Sequence, residues 1–80
     1  MIAVQYFARY REALGLASEQ LAGDFASLDE LRRHLLARGG VWQVLAEQNL
    51  MCARNQELCT LQEPLLDGDE VAFFPTVTGG

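Results

Sequence analysis

The sequence predicts an α+β domain in which one main helix covers one face of a mixed sheet. Short stretches rich in β-forming residues flank a single strongly amphipathic one. That stretch opens on Ser27-Leu28-Asp29-Glu30, the pattern of a capping box. Between the elements stand the breakers Gly39-Gly40, Asn55-Gln56, Pro64 and Asp67-Gly68, at spacings that suit a compact domain. The 80 residues make one small domain, residues 1–80, of which 75–80 form an extended C-terminal tail.

Taken in order, Ile2 to Ala8 reads as the first strand. Ile2, Val4, Tyr6 and Ala8 lie on one face and Ala3, Gln5 and Phe7 on the other. Phe7 thus falls among smaller, more polar neighbours and is expected at the surface. Arg9 to Leu14 suits a short helical turn stopped by Gly15, and Ser18 to Ala22 is a weaker strand. Ser27 caps the main helix, a contact that contributes about 1 kcal/mol. Leu28, Leu31, Leu35 and Leu36 form its apolar stripe, with Arg32 and Arg33 outside. Arg38 and Gly39-Gly40 end it, the cation lying near the negative end of the dipole. Val41 to Gln48 reads as a short helical segment folding Trp42 and Leu45 onto the core. Leu50 to Arg54 and Glu57 to Leu61 are strands around a two-residue turn, which asparagine's tolerance of positive φ allows at Asn55. Glu70 to Phe74 is the last strand, stopped by Pro75, which has no N–H for a further ladder bond.

Composition narrows the function. Apolar residues make up 50% of the chain, so a core can form and disorder is not expected. No run approaches the roughly 20 apolar residues of a membrane span, and Met1 leads into a strand pattern without a basic leader. A cytoplasmic protein is expected. The net charge of −5 disfavours a nucleic-acid binder and suits a partner with a basic surface. All 6 cationic residues are arginines. A chain without lysine lacks the usual acceptor for isopeptide chains of itself.

Several side chains invite chemistry. If Asn55-Gln56 is a two-residue turn, Cys52 faces Cys59 across the strand pair. Buried cysteines acting as small hydrophobes are the commoner case, and a metal site would need more ligands than these two and His34 offer. Redox pairing is conceivable, although cytosolic thiols are kept reduced. No metal site is expected, nor a catalytic triad around His34. Asp67, Asp69 and Glu70 read first as solvated turn carboxylates and second as a docking patch for a basic partner. Arg11 reads as a surface residue and is counted with the candidate partner interface. Phe7 lies on the opposite strand face from Ile2, Val4 and Tyr6, and Phe74 on the opposite face from Phe73; with Leu58, an exposed aromatic–aliphatic patch beside the tail would mark a binding surface, the alternative being a second small cluster under the helix or loops.

The tail itself, Pro75-Thr76-Val77-Thr78-Gly79-Gly80, combines β-branched residues that favour extended backbone with two terminal glycines. Six extended residues reach roughly 20 Å. Gly-Gly has no Cβ, so a partner's backbone can close around it. A frayed end is the ordinary alternative.

The segment Asp67-Gly68-Asp69-Glu70-Val71-Ala72-Phe73-Phe74-Pro75, followed by Val77-Thr78-Gly79-Gly80, resembles the C-terminus of the molybdopterin synthase small subunit, the MoaD-type sulfur carrier. Phe7-Ala8-x-x-Arg11-Glu12 and Leu31-Arg32-x-His34 are similar to other segments of that family, so the resemblance spans the chain. Thr76 departs from it, standing where many relatives carry a second proline. The resemblance implies a ubiquitin-like β-grasp fold. It implies that an adenylating activating enzyme uses ATP to attach AMP to Gly80, and that a sulfurtransferase supplies the sulfur of a Gly80 thiocarboxylate. It further implies that Phe7, Leu58 and Phe74 contact the large subunit of the synthase while residues 75–79 thread into it. There Gly80 donates sulfur to cyclic pyranopterin monophosphate. No permanently bound cofactor is implied. Other readings are a thiamine thiazole type of sulfur carrier, a modifier joined to lysines of other proteins, and an inert interaction domain.

Overall fold

The computed structural model describes residues 1–76. Its elements are β1 (Ile2–Tyr6), α1 (Ala8–Leu14), β2 (Ser18–Leu21), α2 (Leu28–Leu36), a 3₁₀ helix (Gly40–Ala46), β3 (Met51–Arg54), β4 (Glu57–Cys59) and β5 (Glu70–Phe74). The strands form one sheet in the order β2-β1-β5-β3-β4. The two central strands, β1 and β5, run parallel, with Tyr6 opposite Phe73. The remaining pairs, β1 with β2, β3 with β5 and β3 with β4, are antiparallel. This is the β-grasp arrangement that the resemblance implies.

The helix covers one sheet face because both elements place their apolar residues at the right period. Leu28, Leu31 and Leu35 of α2 have no exposed surface, and neither do Val4, Val71 and Phe73 on the facing strands. Ile2, Tyr6, Leu21, Cys52, Leu45, Leu50 and Leu65 complete the core with Tyr10 from α1. Full burial of a leucine or phenylalanine contributes about 1.5–3 kcal/mol, so these layers dominate the stability of so short a chain. Trp42 packs its edge on Tyr6, with ring centroids 5.6 Å apart, so the 3₁₀ segment does close over the core end.

Ser27 caps α2 as its sequence requires, accepting from the Glu30 N–H at 3.3 Å. The return half of the box differs. The Glu30 carboxylate accepts from the Ala26 N–H instead of from that of Ser27. Two further N–H groups of the first turn, on Leu28 and Asp29, donate to the carbonyls of Glu63 and Leu61. The helix start is therefore tied to the loop that follows β4.

Two strands are shorter than their sequences suggest by two residues, and β2 and β3 by one each. β1 ends at Tyr6 because Ala8 takes φ 54, a left-handed conformation unfavourable for alanine, and turns the chain into α1. β4 ends at Cys59, where Leu61 and Glu63 give their carbonyls to α2 in place of a strand partner. The Asn55-Gln56 turn has φ 50 and φ 69, both positive as in a type I′ hairpin, and it sets Cys52 opposite Cys59.

Candidate functional site

The face of the sheet turned away from α2 has no element covering it among the described residues. Side chains alternate along each strand, so burying Val71 and Phe73 sends Glu70, Ala72 and Phe74 to this face. In the same way β3 presents Met51 and Ala53, and β4 presents Leu58. Register brings them together. Met51 is opposite Phe74, and Ala53 stands between Ala72 on one side and Leu58 on the other. Phe7 continues the line of β1 beyond Tyr6, and its N–H donates to the Phe73 carbonyl at 3.2 Å, which puts it beside the end of β5.

The result is a patch with large residues around a low floor of alanines. Leu58 is 68% exposed, Phe7 43% and Met51 36%. Exposed apolar side chains grouped in this way, with small residues between them, make a surface that another protein can cover. Phe7, Leu58 and Phe74 therefore share one face. Met51 and Ala53 belong to it too, and alternation about the buried Cys52 is the signal that finds them in the sequence.

The carboxylates are placed differently. Asp69 is only 7% exposed, so the reading of a solvated turn residue is corrected. Its carboxylate accepts from Arg54 Nε at 2.7 Å, from the Leu66 N–H at 2.8 Å and from Asn55 Nδ2 at 3.1 Å. The Arg54 guanidinium, the Leu66 N–H and the Asn55 amide together hold the Asp69 carboxyl down at about 2. Its acceptor sites are used inside the fold, which leaves little to offer a docking partner. Asp67 pairs with the α-amine of Met1, and that contact, chiefly its hydrogen bond, holds its carboxyl below the usual range. Glu70 accepts from Gln5 Nε2 at 3.0 Å on the open face. All three lie at or before the start of β5, whereas Phe74 is its last residue, roughly 13 Å from Glu70 along the strand, and Pro75 follows it.

Asn55 does more than turn the chain. Its side-chain oxygen accepts from the Glu70 N–H at 3.0 Å while its backbone N–H donates to the Glu70 carbonyl at 2.8 Å. The β3–β4 hairpin thereby fixes where β5 begins. Arg11 is exposed near the end of α1, and its carbonyl accepts from the N–H of Gly15, whose φ of 66 closes that helix.

At the other end of β5, Pro75 follows Phe74 directly, and Thr76 Oγ1 donates to the Asn49 carbonyl. The root of the tail thus rests against the loop leading into β3. Val77, Thr78, Gly79 and Gly80 lie outside the described residues. No helix among the described residues is long and apolar enough to cross a membrane.

A β-grasp sheet with one apolar open face, continuing from its central strand into a tail that ends in Gly-Gly, defines a ubiquitin-like carrier or modifier domain. The chain belongs to the ThiS family, whose pattern matches residues 4–80, and within it to the molybdopterin synthase sulfur carrier subunits. It is 46% identical over 81 residues to the molybdopterin synthase sulfur carrier subunit of Escherichia coli, with 100% of each chain covered. The subunit of that name in Haemophilus influenzae is 43% identical, again over 100% of both chains. Among solved structures, subunit 1 or 2 in the complex of the Helicobacter pylori molybdopterin-converting factor superposes with a TM-score of 0.68 at 26% identity, covering 99% of this chain and 97% of that one. SAMP1 of Haloferax volcanii superposes with a TM-score of 0.77 at 25% identity, covering 99% and 98%.

Proposed function

We propose that this chain is the sulfur-carrying small subunit of a molybdopterin synthase, working in the cytoplasm through its C-terminal glycine. The observation that carries the reading is the continuity of the open face with the tail. Phe7, Phe74, Met51 and Leu58 form a surface for a partner at the point where Pro75 and Thr76 leave the sheet. Docking on that face would aim residues 75–80 into the partner.

A C-terminal carboxylate titrates at about 3.3–3.7, is ionised at neutral pH and is a poor electrophile. It must be activated. An adenylating enzyme joins the Gly80 carboxylate to AMP with release of pyrophosphate, giving an acyl adenylate. Sulfide-level sulfur supplied by a sulfurtransferase attacks the acyl carbon, breaks its bond to AMP and leaves a thiocarboxylate. In the large subunit its nucleophilic sulfur attacks cyclic pyranopterin monophosphate; water then cleaves the resulting thioester, leaving sulfur on the pterin and returning the Gly80 carboxylate, and two such deliveries build the dithiolene of molybdopterin. The general acids and bases belong to the large subunit. The carrier supplies sulfur, reach and a docking face. Stiff Thr and Val residues reduce the entropy lost when the tail is ordered, and Gly79-Gly80 lets the partner's backbone approach.

Intact mass after incubation with ATP, the adenylating enzyme and a sulfide source tests this. Replacement of one oxygen by sulfur, absent from a chain lacking Gly80, supports the carrier chemistry. Adding the large subunit and the pterin precursor then separates molybdopterin synthesis from thiamine thiazole formation. An unchanged mass, with an enzyme that works on another carrier, would favour conjugation to lysines or simple binding.

A further inference from the structure

Cys52 and Cys59 occupy directly opposed positions of the antiparallel β3–β4 pair. Opposed residues of such a pair have Cα atoms about 4.5–5.5 Å apart, inside the span that a disulfide bridges. Cys52 Sγ donates to the Cys59 carbonyl at 3.4 Å. Both cysteines are free. They differ in access. Cys52 is in the core, whereas Cys59 is only partly covered and lines an open cavity of about 240 Å³ with Arg54, Asn55, Glu57, Leu58 and Glu63. Among the described residues no group of three metal-ligating side chains forms, so the pair does not extend into a metal site there.

We propose that Cys52 and Cys59 are an oxidisable dithiol, closed to an intramolecular disulfide by exchange with a low-molecular-weight disulfide such as glutathione disulfide. The Cys59 thiolate attacks one sulfur of glutathione disulfide and expels one glutathione thiolate. Cys52, as thiolate, then attacks the Cys59 sulfur of the mixed disulfide and expels the second glutathione. Two cysteine thiols are oxidised, one disulfide is reduced to two thiols, and the two protons lost by the cysteines end on the two glutathiones. Burial first, and then the neighbouring thiol, push the Cys52 thiol up to about 12. Burial raises that of Cys59 as well, although the Arg54 guanidinium opposes it. Exchange therefore quickens as pH rises. The bond would staple β4, an edge strand of three residues, to β3 and so fix the strand that carries Leu58.

The test is intact mass of the full chain after exposure to excess glutathione disulfide at mildly alkaline pH, with alkylation of remaining thiols and peptide mapping. The expected product has lost two hydrogens and both alkylatable thiols, retains no glutathione, links residues 52 and 59, and reverts with dithiothreitol. Its Tm should rise by about 5 °C or more. Cys52→Ala should stop at a single glutathione adduct on Cys59, and Cys59→Ala should not react. A wild-type chain that stays reduced, holds glutathione on Cys59 without closing, or links only to a second chain would overturn the proposal. Because the wild type provides the primary reading, a variant that fails to fold does not rescue it.

Discussion

Met51 lies directly opposite Phe74 across the β3–β5 pair, so the residue before the tail is backed by an exposed methionine. Methionine is adaptable and polarisable, a suitable neighbour for an aromatic that a partner must cover. Leu58 extends the same surface to the edge of the sheet.

An acidic residue in this patch should separate binding from folding. Leu58→Asp adds charge where the side chain is 68% exposed, and its Tm should stay within a few degrees of the wild type. Its Kd for the large subunit should rise at least about tenfold, because a buried unpaired carboxylate in an interface costs more than 1 kcal/mol. Calorimetry on the purified pair measures both quantities. Unchanged affinity would remove Leu58 from the docking face.

Asp69 should make stability depend on acid pH. Its carboxyl titrates at about 2 in the fold against an ordinary value of 3.8, so the unfolded chain binds a proton more readily than the folded one. The stabilisation is fully present above the ordinary carboxylate range and is lost as pH falls through it toward the folded value. Asp69→Asn should cost on the order of 2 kcal/mol near neutral pH. The gap from wild type should narrow steadily between about pH 5 and pH 2 in denaturant titrations.

Gln56 holds φ 69 in the hairpin turn, where glycine is the better residue. Gln56→Gly should raise stability by up to about 1 kcal/mol, seen as a Tm increase of several degrees. A fall in Tm would mean that the Gln56 side chain contributes contacts outweighing its backbone strain.

Gly79→Ala should leave the denaturation curve within about 0.5 kcal/mol of wild type, since glycine has no side chain for a core to lose. Adenylation or sulfur delivery should fall at least about tenfold as the added methyl obstructs close approach. Steady-state assays with the activating enzyme and with the large subunit would locate the affected step. Full activity in both would remove the need for a close-fitting Gly-Gly.

Local signals were legible where the responsible residues are neighbours in sequence. Ser27 announced the start of α2, the leucine period announced its buried stripe, and Asn55-Gln56 announced the turn whose two-residue length pairs Cys52 with Cys59. Long-range partnerships were not legible. Nothing beside Asp69 in the chain indicates that Arg54 and Asn55 will reach it, because the pairing of β3 with β5 brings them there. Glu30 missed its expected partner by one residue, a distinction made by the local path of the chain before Ser27. The docking face lay in between. Alternation set Phe7 and Phe74 apart from the core and the resemblance added Leu58, whereas the register sets Met51 and Ala53 beside Phe74, Ala72 and Leu58.

The central place of β5 has a mechanical consequence. It is hydrogen-bonded to β1 along one edge and to β3 along the other. A pull on Pro75 along the strand loads both ladders in shear, so many bonds must fail together, whereas an edge strand pulled sideways unzips one bond at a time. If a partner pulled on the chain beyond Phe74, the load would be shared across the sheet. Tension would thus be spread over the whole domain, which would move as an intact body.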